Sequence, residues 1–503
     1  MPLMPRPLAA FVLTLASGPA LADVTAQNVW DNWNAYIDGL GYQVDAKIDQ
    51  TANGLTAQNL TVSVDFEENT GRAVMDIGNV QFLENSDGTV DIVFAKTVPI
   101  KVDMTPPSGE AIAFKIDYSQ DTLAMRASGT PEMMRYDYTA REMKVSLGDL
   151  VVDGTAMPAS AIHMAIGLEG IEGTTTTSLS TSRDNVQAFT AARVNYDMVF
   201  TDPENPESVQ ITGNTQDLTF AGTSQTPIAI AGEANFGALL RAGLGFDGSF
   251  SFGPSSTQMT STSADGPFSG TSQSSGGALA VALSPDGISY LAEQNGLSVN
   301  MIAAASPFPI TFDVAKSAVN FAAPLQQSDA PSNFALGFEL SGFSMSDMLW
   351  AMFDPAAQLP RDPATLAIDL SGKIRLLADL MDPANFGDGA DSTPAEFEQL
   401  DINKLKLSVA GADLSGSGAF SFDNTKSLAG MPKPTGNLAL KLVGANGLID
   451  TLVAMGLLPE EQAMGARMMM ALFAVPEEGT DTLTSKIEIN NEGHILANGQ
   501  RIQ

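Results

Sequence analysis

Along most of this chain apolar residues fall on every second position. Leu60, Val62, Val64 and Phe66 alternate with Thr61, Ser63 and Asp65, and Val90, Ile92 and Phe94 repeat the pattern. The same alternation recurs in Ile112-Phe114-Ile116-Tyr118, Ile162-Met164-Ile166-Leu168, Val194-Tyr196-Met198-Phe200 and Leu279-Val281-Leu283. Period two is the repeat of a strand with one apolar face and one wet face. Turn signals punctuate the runs at Asn53-Gly54, Ser86-Asp87-Gly88, Pro285-Asp286-Gly287 and Asn295-Gly296. Strands joined by tight turns predict antiparallel meanders.

Two regions break the rule. From Thr25 to Leu40, Val29, Trp30, Trp33, Tyr36, Ile37 and Leu40 recur at three- and four-residue spacings, which predicts an amphipathic helix ended by Gly39 and Gly41. In the last third a strand–glycine–helix unit appears three times. Leu336–Gly342 leads into a helix at Asp347–Phe353 closed by Asp354-Pro355; Leu366–Gly372 leads into one at Arg375–Met381 closed by Asp382-Pro383; Leu438–Gly444 leads into one at Asp450–Met455 before Pro459. Ser344 with Asp347 supplies a capping box for the first. Pro459-Glu460-Glu461 opens a further helix, with proline at its first position and acids on the positive end of the dipole. A closing hairpin follows, from Ile487-Ile489 through Asn491-Glu492-Gly493 to Ile495–Ile502.

The fold expected is therefore mainly β, a β-rich α+β chain of long, twisted antiparallel sheet or sheets, with an amino-terminal helix and short helices in the last third. Its expected divisions are a leader at 1–22, a helix-plus-sheet region at 23–332 and the repeat region with its hairpin at 333–503. Thr174–Ser182 and Gly253–Gly277, dominated by Ser, Thr and Gly, suit either linkers or wet-faced strands. Asn385–Thr393, rich in Asp and Gly, reads as a surface loop.

The leader carries Arg6, an apolar run Leu8–Ala16 and the small-residue box Ala20-Leu21-Ala22. A positive end, a short apolar core and an A-x-A site predict a signal peptide cleaved after Ala22 and export to the periplasm. The run has about half the length that crosses a bilayer. The next most apolar stretch, Leu448–Leu458, contains Asp450 and ends at Pro459, so no transmembrane segment is expected in the mature chain.

Composition narrows the chemistry. There is no cysteine, which excludes disulfides, thiolate nucleophiles and cysteine-bound metals. A formal net charge of −33 makes nucleic acid an unfavourable partner. No EF-hand-type or repeated calcium loop occurs, and carboxylates are too numerous for any pair to stand out. Only two histidines are present, His163 within a strand and His494 after a turn glycine. Neither has a neighbour at metal-ligand spacing, and no nucleophile elbow or phosphate loop is found. No enzyme, metal or cofactor is expected. What remains is apolar binding: alternating positions lining a groove for an acyl chain, with the helical methionines Met345, Met348, Met352, Met464, Met468, Met469 and Met470 and Phe473 as a soft flap. The same alternation also suits a closed core.

Four segments carry a family likeness: DMLWAMFDPAAQLPRDP at 347–363, LSGSGAFSF at 414–422, PKPTGNLALKL at 432–442, and an ending with DTLTS at 481–485 and ANGQRI at 497–502. With Trp30, Trp33 and Gly41-Tyr42, these make the chain resemble the alphaproteobacterial DUF2125 proteins from end to end, most strongly after Phe334. That resemblance implies an exported protein and supplies no activity. The Gly-punctuated strands of Leu405–Leu442 are also similar in texture to AsmA-like envelope proteins, which implies long sheets curved into a hydrophobic groove for lipid transport. The chain departs from them in lacking an amino-terminal anchor, and no site residue carries over. The expected function is a non-catalytic periplasmic protein that binds or shuttles a lipid or acyl chain; the alternative is a structural or interaction module of an envelope complex with a closed core.

Overall fold

The computed structural model describes residues 24–39, 41–66, 70–105, 109–158, 160–202, 205, 207–228, 236–306, 308–381, 395–428 and 431–502. The leader, Leu40 and the Asn385–Thr393 stretch lie outside them. Strand takes up 67% of the chain and helix 11%, so the mainly β, antiparallel expectation holds. The chain divides into two compact units. One runs to Gly276 and takes in residues 301–306; the other comprises Gly277–Asn300 and residues from 308 on.

The first unit opens on α1 (Ala26–Gly39). Thr25 and Asn28 cap it reciprocally: the Thr25 N–H donates to Asn28 Oδ1 at 3.1 Å and the Asn28 N–H to Thr25 Oγ1 at 3.2 Å. Beyond Gly39 the chain reverses at Gly41, whose φ of 83° lies in the left-handed region open to glycine. β1 (Gln43–Thr51), β2 (Gly54–Asp65) and β3 (Gly71–Glu84) then form a meander. The sheet forks at β3, whose second half pairs with β4 (Val90–Val93) and first half with β5 (Thr97–Met104). β5 passes to β6 (Ile112–Asp121) and β4 to β7 (Ala124–Thr130), and both lanes rejoin on the long β8 (Met133–Val152).

β9 (Thr155–Met157) folds back on β8. β10 (Ile162–Leu179), β11 (Ser182–Thr201) and β12 (Ser208–Pro227) extend the sheet in sequence order. After α2 (Phe236–Arg241), β13 (Gly245–Phe252) and β14 (Ser255–Ser263) pair with opposite halves of β12, and β15 (Gly266–Ser274) pairs with β14.

The deepest core lies where α1 covers the fork. Val29 and Trp30 are buried there with Leu55, Val80, Phe82, Val90, Ile92 and Met134. Trp33 meets Phe82 edge-on at 5.4 Å and stacks on Phe94 at 5.8 Å. On the polar side of the helix, Arg183 of β11 donates to the Asn32 carbonyl and side-chain oxygens, each at 3.4 Å, and lies over the Tyr36 ring. The buried Tyr136 hydroxyl also reaches Asn32, and burial pushes its pKa up to about 12.

β16 (Gly276–Ser284) and β17 (Gly287–Ala303) open the second unit. β18 (Ile310–Ala323), β19 (Ser332–Met345), β20 (Ala364–Leu376), β21 (Ala395–Val409), β22 (Ala412–Leu428) and β23 (Met431–Val443) then pair in strict succession. α3 (Asp347–Trp350) interrupts the β19–β20 connection. α4 (Ala445–Ala454), α5 (Glu460–Phe473) and the two-residue β24 (Val475–Pro476) separate β23 from its partner β25 (Thr482–Ile489). β24 and β26 (Ile495–Ala497) share the outer edge of β25, and β27 (Gln500–Arg501) folds onto β26. Asn498 ties this edge together: its Oδ1 accepts the Lys486 N–H at 2.8 Å and its Nδ2 donates to the Phe473 carbonyl at 3.0 Å.

Several local expectations are corrected. Arg375–Met381 is not a helix. β20 continues to Leu376, which is buried and paired with Ala395, while Arg375 forms ion pairs with Glu396 and Glu398; cross-strand pairing and burial outweigh a helical pattern that had no cap. Asn295-Gly296 is not a turn but lies inside β17, where Gly296 takes a φ of 59° and bends a continuing strand. Ser344 does not cap α3, because it belongs to β19. Ser346 occupies the cap position without a side-chain bond, and Asp347 pairs with Arg361. That helix is only four residues long, whereas α4 starts five residues before the expected Asp450. Pro459 stands at the cap of α5 rather than inside it. Thr174–Leu179 and most of Gly253–Gly277 are strands.

Two outcomes follow. Phe82 is fully buried beneath both tryptophans, so Phe82→Ala should cost about 3–5 kcal/mol, read as a lowered urea midpoint in tryptophan fluorescence. Asp354, also fully buried, organises the segment after α3: its carboxylate accepts the N–H groups of Gln358 at 2.8 Å and Leu359 at 2.9 Å. Burial raises its pKa, but those two donors and Arg361 outweigh burial and hold it below the ordinary aspartate value. A lowered folded pKa stabilises the fold above the unfolded value, near 4, and that contribution disappears as pH falls through the folded value. Limited proteolysis between Met352 and Arg361 should therefore accelerate as the solution is acidified below about pH 4. In Asp354→Asn cleavage should be fast already at neutral pH and lose this pH dependence.

Candidate apolar binding face

Alternation in the second unit, reset at bulges in β19, β20 and β21, sends the Leu, Ile and Phe side chains of the ladders on six neighbouring strands to one side. The register lines them up in ladders. One runs Leu340–Leu366–Leu407–Leu414–Leu442–Leu483 across β19 to β25. The next runs Val319–Phe338–Ile368–Leu405–Gly416–Leu440, and a third runs Phe321–Leu336–Leu370–Ile402–Gly418–Leu438–Ile487. Aromatic contacts continue the surface, with Phe334 to Phe397 at 5.7 Å and Phe397 to Phe422 at 6.0 Å. Cross-strand neighbours of this kind stabilise a sheet laterally.

Glycines in the ladders make room for those side chains. A Cβ on Gly416 would come within 2.6 Å of Leu440 Cδ2, and one on Gly372 within 2.7 Å of Phe334 Cε1. The large residues lean over these positions and pack against one another within the face.

Among the described residues no second layer covers this face. Leu336 is 48% exposed, Phe338 42%, Phe397 46% and Leu407 41%; Val319, Phe321 and Leu366 are exposed as well, and the remaining large ladder residues are half-buried. The opposite side carries Glu339, Asp369, Lys404, Lys406, Asp413, Lys441, Lys486 and Glu488. The sheet is thus apolar on one side and charged on the other, with the apolar side open.

The methionines stand elsewhere. Met345 ends β19 and is half-buried, and Phe473 ends α5 and is half-buried. Met348 of α3 and Met352 in the turn after it are exposed, as are Met464, Met468 and Met469 of α5; Met470 is half-buried. The β19–β20 and β23–β25 connections leave and re-enter at the same end of the strands, so α3, α4 and α5 share that end. Only Ala463 of α5 is buried, which leaves most of its apolar side chains facing solvent. Periodicity identified the ladder positions, but it did not show that their face lacks a cover.

His163 Nε2 lies 4.0 Å from Asp197 Oδ2, and His494 Nδ1 lies 3.2 Å from Glu492 Oε2, in different units. A concavity of about 540 Å³ in the first unit is lined by two satisfied ion pairs, Asp91 with Arg126 at 2.7 Å and Arg135 with Asp137 at 2.6 Å. The Asp91 carboxyl is held below its ordinary value by its hydrogen bond from Arg126. No group of three His, Asp or Glu side chains is placed to hold a metal ion, and no helix is long and apolar enough to cross a membrane, among the described residues.

No curated protein and no solved structure matches the chain. The profile of the family described as an uncharacterised protein conserved in bacteria (DUF2125) matches residues 227–493. That span contains α3 to α5, the leucine ladders and the Asp354 loop, and it covers more than half of the 503 residues: the chain belongs to the DUF2125 family.

Proposed function

We propose that the protein is exported to the periplasm and binds an acyl-chain ligand along the open ladder face of its second unit, without catalysing a reaction. The observation that carries this reading is the uncovered array of Leu, Ile and Phe side chains on β18 to β25. Large contiguous apolar surface is rare on monomeric soluble proteins and marks an interaction site. Parallel rows of aliphatic side chains offer an acyl chain dispersion contacts along its length and no need for a polar partner. The leader pattern at 1–22 supports export, and the texture shared with AsmA-like proteins agrees with a lipid on a sheet.

A second reading, an interaction module of an envelope complex, is favoured by a different observation: the exposed Met464, Met468, Met469 and Leu472 on α5. Flexible methionine surfaces suit varied protein partners.

The two readings separate in one experiment. Delipidated protein titrated with a fluorescent fatty acid should show saturable binding, and Leu336→Asp with Phe338→Asp should weaken it at least ~10-fold, equivalent to about 1.4 kcal/mol. Far-UV circular dichroism should stay unchanged, because both side chains already face solvent. Met464→Gln with Met468→Gln should leave this binding intact. Absence of saturable binding in the parent protein sinks the lipid reading and leaves the interaction module.

A further inference from the structure

The polar side of the same sheet holds a second feature, built on the LSGSGAFSF segment. On β22, Ser415, Ser417 and Ala419 face away from the leucine ladders. β23 sets Lys441 beside Ser415 and Ala439 beside Ser417; β25 sets Thr484 beside Lys441 and Lys486 beside Ala439. On the other flank Lys406 of β21 pairs with Ser415, and Lys404 points to the same side two residues away. Small residues on the middle strand between long ones on its neighbours leave a concavity of about 610 Å³.

Its lining contains Lys404, Lys406, Lys441 and Lys486 and no Asp or Glu, in a chain with 58 acidic residues against 25 Lys and Arg. The lining itself is therefore positive in a molecule of opposite net charge, and its compensating carboxylates stand outside it. Strands lie about 4.8 Å apart, which places the Lys406 and Lys441 backbones roughly 10 Å apart across Ser415, with the stems rising on both sides of a hydroxyl-bearing floor. Each ammonium has a carboxylate partner outside the lining: Glu339 for Lys404 at 3.6 Å, Asp413 for Lys406, Glu477 for Lys441 at 3.0 Å and Glu488 for Lys486 at 3.7 Å. Partly exposed pairs of this type contribute little, so an ammonium can turn inward onto an anion at small cost.

We infer that this concavity binds a small ligand bearing two or more phosphate groups. Lysine ammonium groups act on phosphate as point charges without requiring a planar bidentate partner, and the hydroxyls of Ser415, Ser417 and Thr484 donate to phosphate oxygens. The volume falls within the range of small-molecule sites and holds a sugar-sized body together with its phosphates. The net charge of −33 opposes the approach of a long polyanion, which selects against nucleic acid. The site lies on the face opposite the ladders, so it stands or falls independently of the acyl-chain reading.

Tripolyphosphate is the soluble probe, and vesicles of phosphatidylcholine with phosphatidylglycerol present the same chemistry as a headgroup. Calorimetry on the full chain should give saturable tripolyphosphate binding that weakens as sodium chloride rises. Lys441→Gln with Lys486→Gln should lower the affinity at least ~10-fold, and Lys441→Arg with Lys486→Arg should largely restore it. On unaltered protein, tripolyphosphate should protect Lys404, Lys406, Lys441 and Lys486 from acetylation while leaving the exposed Lys47 and Lys144 as reactive as before. Additional protection by the vesicles identifies a lipid headgroup as the source, and protection by tripolyphosphate alone a soluble phosphate ester. Equal acetylation of all six lysines with and without tripolyphosphate, or unchanged affinity in the glutamine variant, overturns the proposal.

Discussion

The structure depends on one constraint, the two-residue period of the strand. Once β18 to β25 are paired in register, the ladder Leu, Ile and Phe residues are committed to one side and the Lys and Asp residues of the same strands to the other. Backbone hydrogen bonds along successive antiparallel pairs hold the strands. Ladder contacts within the face supply lateral packing, which is why Leu440 and Phe334 lean over glycines rather than over a second sheet. Interrupting the alternation in one strand would break contact with two neighbours at once.

Deep burial is concentrated where a helix supplies a second layer. α1 covers the forked part of the first unit, and Trp30, Trp33 and Phe82 form an aromatic cluster that few positions in the second unit match. Polar groups reinforce this cap, with Arg183 and Tyr136 both directed at Asn32. In the second unit the helices sit at the strand ends, so its apolar face is left to its own lateral packing. Deep burial and exposed apolar surface are thereby separated: the covered region is the more deeply packed, and the uncovered region presents surface.

β22 serves both faces of its sheet. Gly416 receives the Leu440 side chain on the ladder side, while Ser415 and Ser417 form the floor of the lysine-rimmed concavity on the other. Larger residues at 415 and 417 would fill the concavity, and a Cβ at 416 would displace the ladder. A single run of small residues thus shapes two surfaces of opposite chemistry.

Much of this was decided by the sequence itself. The period-two runs, the amino-terminal helix with its apolar stripe and the turn glycines at 54 and 287 need only local pattern and turn chemistry, and each is found where those rules place it; the closing hairpin forms too, but its return strand stops at Ala497 and turns back instead of running on to Ile502. Family membership rested on short segments such as DMLWAMFDPAAQLPRDP and LSGSGAFSF. Tertiary structure decided the rest. Leu376 is held in a strand by Ala395, a partner distant in sequence, so a helical pattern in the second repeat had no force. Ser344 was taken into β19, and Asp347 turned to Arg361 instead of capping α3. Whether the alternating apolar face is covered, and which lysines meet across Ser415, depend on register and on where helices dock. Periodicity tells which side of a strand is apolar; only the assembled strands show what stands opposite it.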